Sequence, residues 1–177
     1  PNALVSAQYA TEAVDPADQI VATAATRTEA DGSFTLLVDP GIYNLVADAP
    51  GYEPACALGE TLVESAWTEH FTLVSSISGV TLTGAVSVEE GYVEQPIAIS
   101  VRKQLDCGDG ATLVEILSEQ VANGGNYSFY LPPTPVDALD EEKYTVVVSS
   151  IGAETKFENV ELPEGESVEL NIDLDLD

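Results

Sequence analysis

Short alternations of apolar and polar residues run through the chain, broken at intervals by Gly, Pro, Asp and Asn, while helix-period stripes are weak. Successive side chains of a strand point to opposite faces, so such runs predict the half-buried strands of an all-β sandwich. Ser33–Val38 and Ile42–Ala47 read as two strands around the turn Asp39-Pro40-Gly41, where Pro40 presets φ and Gly41 supplies the permissive position. Further strands are predicted at Val80–Val86, Pro96–Val101, Asn126–Leu131, Lys143–Ser149 and Val168–Leu176. A short helical turn is allowed at Pro16–Ile20 or Thr112–Glu119, as a loop excursion rather than a layer.

The alternations repeat. Ala30-Asp31-Gly32-Ser33-Phe34-Thr35-Leu36 matches Asn123-Gly124-Gly125-Asn126-Tyr127-Ser128-Phe129, each a tight turn followed by alternating aromatic and polar positions. Gly41-Ile42-Tyr43-Asn44-Leu45-Val46 matches Glu142-Lys143-Tyr144-Thr145-Val146-Val147, and Phe71-Thr72-Leu73 matches Leu170-Asn171-Ile172. Pro1–Ala7 matches Pro96–Val101 with a one-residue slip. Self-similarity of this kind predicts two copies of one domain, 1–77 and 78–177, joined near the Ser-rich stretch Ser75–Ser78.

Asp31-Gly32-Ser33-Phe34, Pro40-Gly41-Ile42-Tyr43 and Ala49-Pro50-Gly51-Tyr52 together resemble the carboxypeptidase regulatory-like (transthyretin-like, prealbumin-like) family. The second copy keeps the turn at Gly125-Asn126-Tyr127 but replaces the compact P-G-x-Y with the acidic insertion Pro132–Glu142. The resemblance implies two tandem immunoglobulin-like or transthyretin-like β-sandwich domains. It also implies an accessory or structural role on secreted proteins, with no family catalytic residues to transfer. Related pilin domains carry a lysine isopeptide. Residues 1–77 hold no lysine, which excludes one in the first copy and disfavours it in the second.

The two copies begin differently. Gly79–Val86 supplies an opening strand ahead of Pro96, whereas Pro1 already corresponds to Pro96, so the first copy lacks that strand. At the other end Val168, Leu170, Ile172, Leu174 and Leu176 alternate with Glu169, Asn171, Asp173 and Asp175 over more length than one small sheet needs. Two expectations follow. In one, this tail or a neighbour's strand completes the vacant edge by β-augmentation, and head-to-tail repetition builds a filament. In the other, residues upstream of Pro1 supply the strand and the tail is only a long last strand.

Composition places the chain outside the cell. Of 177 residues 45% are apolar, enough for a core in each domain, but 31 acidic side chains face five basic ones for a net charge of −26. Such a surface repels phosphates and anionic lipid, which argues against nucleic acid and membrane insertion and favours tolerance of salt. It fits a halophile or a secreted bacterial protein. No apolar run reaches membrane-spanning length, and a first residue of Pro1 with no methionine predicts a processed or partial chain. Cys56 and Cys107 allow one disulfide, which would clamp the two domains together; separate thiols or an intermolecular link are the alternatives.

A search for chemistry finds little. His70 is the single histidine, and no metalloprotease, nucleophile-elbow, phosphate-loop or C-x-x-C motif occurs. Two aspartates beside Cys107 would raise its pKa, against a nucleophilic role. Asp106/Asp109, Asp137/Asp140/Glu141/Glu142 and Asp173/Asp175/Asp177 invite a calcium reading, but none has EF-hand spacing. Alternate aspartates on a strand lie about 7 Å apart, so a solvated acidic face is the competing account. No other cofactor is expected. Trp67, Tyr52 and Tyr92 could stack on a polysaccharide or pack internally. Asn126-Tyr127-Ser128 is a glycosylation sequon. The function expected is a non-enzymatic cell-surface or filament protein that associates with itself or another surface protein. An accessory module binding a polysaccharide or a partner is the alternative.

Overall fold

Alternating patterns become ladders only where a neighbouring strand is available, and the pairing shows where that condition holds. The computed structural model describes residues 2–9, 24–61, 68–76, 78–88, 96–108 and 110–176. Its strands in chain order are β1 (Leu4–Tyr9), β2 (Ala24–Arg27), β3 (Gly41–Asp48), β4 (Ala55–Thr61), β5 (Val80–Val88) and β6 (Ile97–Asp106). They continue as β7 (Ala111–Val121), β8 (Gly125–Leu131), β9 (Tyr144–Ser150), β10 (Ala153–Val160), β11 (Ser167–Glu169) and β12 (Ile172–Leu174). The chain is an all-β sandwich, as the alternation predicts.

Two local expectations change. Thr112–Glu119 is not a helical turn but lies within the 11-residue strand β7. Ser33–Val38 joins no ladder. Pro16–Ile20 lies outside the described residues. Among the described residues a 3-10 turn occurs at Asp140–Glu142, inside the acidic insertion.

The chain divides into two compact units, Pro1–Ser76 with Gln104–Ile116, and Ile77–Lys103 with Leu117–Asp177. The division departs from contiguous halves at one hairpin. β6 and β7 are 10 and 11 residues long, yet β9 pairs β6 only over Ala98–Arg102. The far end of the hairpin is therefore left without that sheet and belongs to the first unit.

In the first unit four strands form a sheet in the order β2-β1-β3-β4. The β1–β3 register pairs Val5 with Ala47, Ala7 with Leu45 and Tyr9 with Tyr43, which puts these on one face. Leu36, Val38 and Phe71 pack over Ala7, Tyr43 and Leu45 there. Ser6, Gln8, Asn44, Val46 and Asp48 fall on the opposite face, and all are buried.

In the second unit one sheet runs β10-β9-β6-β7, and the other is organised on β5. β5 pairs antiparallel with β8 on one edge and parallel with β11 and then β12 on the other. Val80, Leu82, Val86 and Val88 of β5 are buried, as are Tyr127, Phe129 and Leu131 of β8. Ile97, Ile99 and Val101 of β6 and Val146 and Val148 of β9 are buried in the same unit. A fully buried valine or leucine contributes about 1.5–3 kcal/mol, so this apolar set is the main stabilising term of the unit.

Candidate functional site

The two copies differ most where matching segments meet or lack a partner strand. In the second unit the segment Gly125–Leu131 and the tail residues are strands because β5 runs between them and satisfies both edges. Their counterparts in the first unit, Ser33–Val38 and Phe71–Leu73, have no regular secondary structure and join no ladder, and no described strand lies between them. Burial follows pairing. Tyr127, Phe129 and Leu131 are buried, whereas Phe34, Leu36 and Val38 at the matching positions are only half-buried. Ile172 is 3% exposed, whereas its counterpart Leu73 is half-buried. Beside them Leu37 is 90% exposed and Val74 66% exposed. The two segments touch through Phe34 and Phe71, whose ring centroids lie 6.4 Å apart. Apart from the Ser33 carbonyl, which accepts from the Glu29 amide at 2.8 Å, their backbone amides and carbonyls are unused by any sheet among the described residues, which is the condition in which an added strand is accepted.

The turn ahead of the first segment is preset. Asp31 Oδ1 accepts hydrogen bonds from the Ser33 amide at 2.9 Å and the Ser33 hydroxyl at 2.7 Å, and these bonds hold its carboxyl below the usual value. Gly32 follows at φ 87°, a left-handed conformation that glycine adopts without a Cβ penalty.

The buried polar face of the same sheet is covered by the hairpin. Cys56 of β4 stands opposite Val46 and is bonded to Cys107 at the hairpin tip, with Val114 and Leu105 packed around them. The tip is tight: Gly108 and Gly110 have φ of 113° and 127°, and the Gly108 amide donates to Asp106 Oδ1 at 2.8 Å. The bond therefore does not clamp one unit to the other, as its sequence positions suggest. Both cysteines lie in the first unit, because the hairpin that carries Cys107 does. Gln8 makes a second fastening. Its Nε2 donates to the Glu115 carbonyl at 2.6 Å, and its Oε1 accepts from the Glu115 amide at 3.0 Å, so a side-chain amide stands in for a backbone strand partner. Asn44 Oδ1 is buried nearby with no hydrogen-bond partner among the described residues. Neither Gln8 nor the polarity of this face was legible before the hairpin was placed.

The tail has a different place from the one its pattern suggests. Val168 pairs with Leu82, Ile172 with Val86 and Leu174 with Val88, while Leu170 donates its amide to the Thr83 carbonyl at 2.8 Å. Leu176 bridges Ala153. These five residues are used within their own unit, so the tail is not free to fill the slot of the first unit. The added length is explained by β11 and β12 running in succession along one long strand.

The remaining candidates are scattered. Asn126 is exposed on β8 opposite Ala85, with Ser128 exposed and Tyr127 buried. His70 is exposed, with its backbone amide donating to Glu69 Oε1 at 3.1 Å. Asp140 and Glu142 are engaged with Lys143 and the Leu139 amide, Asp173 accepts from the Ser87 hydroxyl, and Asp175 pairs with Lys156 at 2.8 Å. Asp109 and Asp177 lie outside the described residues, and among those described no three metal-ligating side chains converge. Tyr52 is exposed and bridges Ser75, while Trp67 and Tyr92 lie outside the described residues. Among the described residues no helix is long and apolar enough to cross a membrane.

No protein-family model and no curated protein sequence matches the chain. Solved structures do align with it. The TIE protein of Bacillus anthracis aligns at 16% identity and a TM-score of 0.37, over 99% of this chain and 31% of that one. This chain thus spans about a third of that protein's length. A Bacteroides ovatus protein provisionally assigned to cell adhesion aligns at 15% identity and a TM-score of 0.38, over 97% of this chain and 82% of that one. A shaft pilin of Lactobacillus rhamnosus GG aligns at 12% identity and a TM-score of 0.34, over 99% and 85%.

Proposed function

We infer that the protein is a non-catalytic structural component of the cell exterior whose first unit accepts a β-strand from a neighbouring protein molecule. One observation carries this: segments that match in sequence are paired and buried where β5 lies between them, and half-buried and unpaired among the described residues where no described strand does. The correspondence of the two units also supports the closer resemblance to the carboxypeptidase regulatory-like family. A disulfide suits an oxidising compartment, and a net charge of −26 suits a surface in contact with salt water. The incoming strand takes the place that β5 has in the second unit, antiparallel to Ser33–Val38 and parallel to Phe71–Leu73. It presents apolar side chains inward at every second position, and repetition of the contact from molecule to molecule gives an open filament.

The test uses a labelled peptide of the β5 sequence, Val80–Val88, titrated into the full chain at high salt. Saturable one-to-one binding, with slowed amide exchange at residues 34–38 and 71–75, is the expected result. Light scattering of the chain alone at rising concentration reads assembly directly. A discrete monomer at every concentration, together with no peptide capture, would remove the proposal.

A further inference from the structure

The second unit has a property that strand acceptance does not use. Its first strand, β5, and its last, β11 and β12, lie side by side and parallel. Parallel neighbours cannot be joined by a short turn, so the chain enters β5 at one end of the sheet and leaves β12 at the other. The ladder extends from Thr81 paired with Ser167 to Val88 paired with Leu174, a length of roughly 23 Å at strand rise. Side chains continue it where the backbone pairing breaks. The Ala85 amide donates to Asn171 Oδ1 at 2.8 Å and Tyr127 donates its hydroxyl to the Leu170 carbonyl at 2.6 Å, while Ser87 donates to Asp173 within the paired stretch that follows. The break is built in: a Cβ on Gly84 would stand 1.8 Å from the Leu170 carbonyl oxygen, so the close approach of the tail depends on glycine there. Ile172 and Leu174 are buried in the same unit as Val86 and Val88.

We propose that the second unit is a tension-bearing module, in which a pull along the chain loads the whole β5–β11–β12 ladder in shear. A pull from the N-terminal end of β5 against the C-terminal end of β12 slides the strands lengthwise, so every bond must stretch before any one breaks. A pull applied to neighbouring ends peels the same bonds one after another. The proposal rests on the structural role inferred above and deepens it, since a surface component held at two points carries load.

The experiment is single-molecule pulling on the full chain with site-specific handles, where rupture reads the unfolding barrier rather than the equilibrium. One preparation carries handles at Ser75 and Asp177, which load the ladder in shear. The other carries them at Glu89 and Asp177, which peel it from the shared end. At matched loading rates the rupture force of the first is expected to be at least twice that of the second. A ratio below two overturns the proposal. Both geometries load the second unit, so failure here leaves strand acceptance by the first unit standing, and a failed peptide titration leaves this result standing.

Discussion

Asp48 offers a quantitative test of how the first unit is built. It lies on β3 with its side chain on the covered polar face, 6% exposed, and its neighbour across the ladder is Leu4. Leu4 also pairs with Arg27 on β2, whose Nη1 donates to the Asn2 carbonyl at 3.0 Å. Burial pushes the Asp48 carboxyl up from 3.8 to about 6, with the charge of Arg27 and a hydrogen bond from the Ala49 amide pulling in the other direction. A folded-state pKa above the unfolded value means that the folded protein binds the proton more tightly. The carboxyl therefore imposes no penalty below pH 3.8, and the penalty builds as pH rises through 6 and is complete above it. Two pKa units at about 1.4 kcal/mol each give a penalty of about 3 kcal/mol at neutral pH. Asp48→Asn keeps the shape and removes the charge. It is expected to stabilise the first unit by up to about 3 kcal/mol at pH 7.5 and by almost nothing at pH 3.5. Glu158→Gln, on the exposed β10 surface, is the control for the change in net charge. Native-state amide exchange in β1 and β3, compared across pH, isolates the first unit. If Asp48→Asn gains no more than Glu158→Gln at pH 7.5, or keeps its gain at pH 3.5, the carboxylate is not buried as described.

The disulfide closes a loop of sequence separation 51, and loop-closure entropy puts its contribution at about 4 kcal/mol. Reduction should lower the denaturant midpoint of the first unit and leave exchange in β5 and β12 unchanged; equal loss in both units would contradict the placement of Cys107. Gln8→Ala leaves the Glu115 amide and carbonyl without their side-chain partner. It should destabilise the first unit by about 1–3 kcal/mol in urea titrations, with a loss under 0.5 kcal/mol counting against the amide clamp.

Much of the architecture was legible in the sequence. Alternation at Ile42–Ala47, Val80–Val86 and Asn126–Leu131 predicts strands because period 2 has one structural solution when one face is buried, and β3, β5 and β8 form there. Tertiary structure decided the rest, because ladders are made by partners and a partner's position is not written in the strand itself. Ser33–Val38 has as good a pattern as Asn126–Leu131 yet forms no ladder, since no described strand lies beside it as β5 lies beside β8. Thr112–Glu119 is a strand because β6 runs beside it. The tail that looked surplus is taken up along β5, and Cys107, remote from Cys56 in sequence, reaches it because β6 and β7 outrun β9. Local pattern determined which segments could be strands; the supply of hydrogen-bonding edges, a long-range property, determined which of them are.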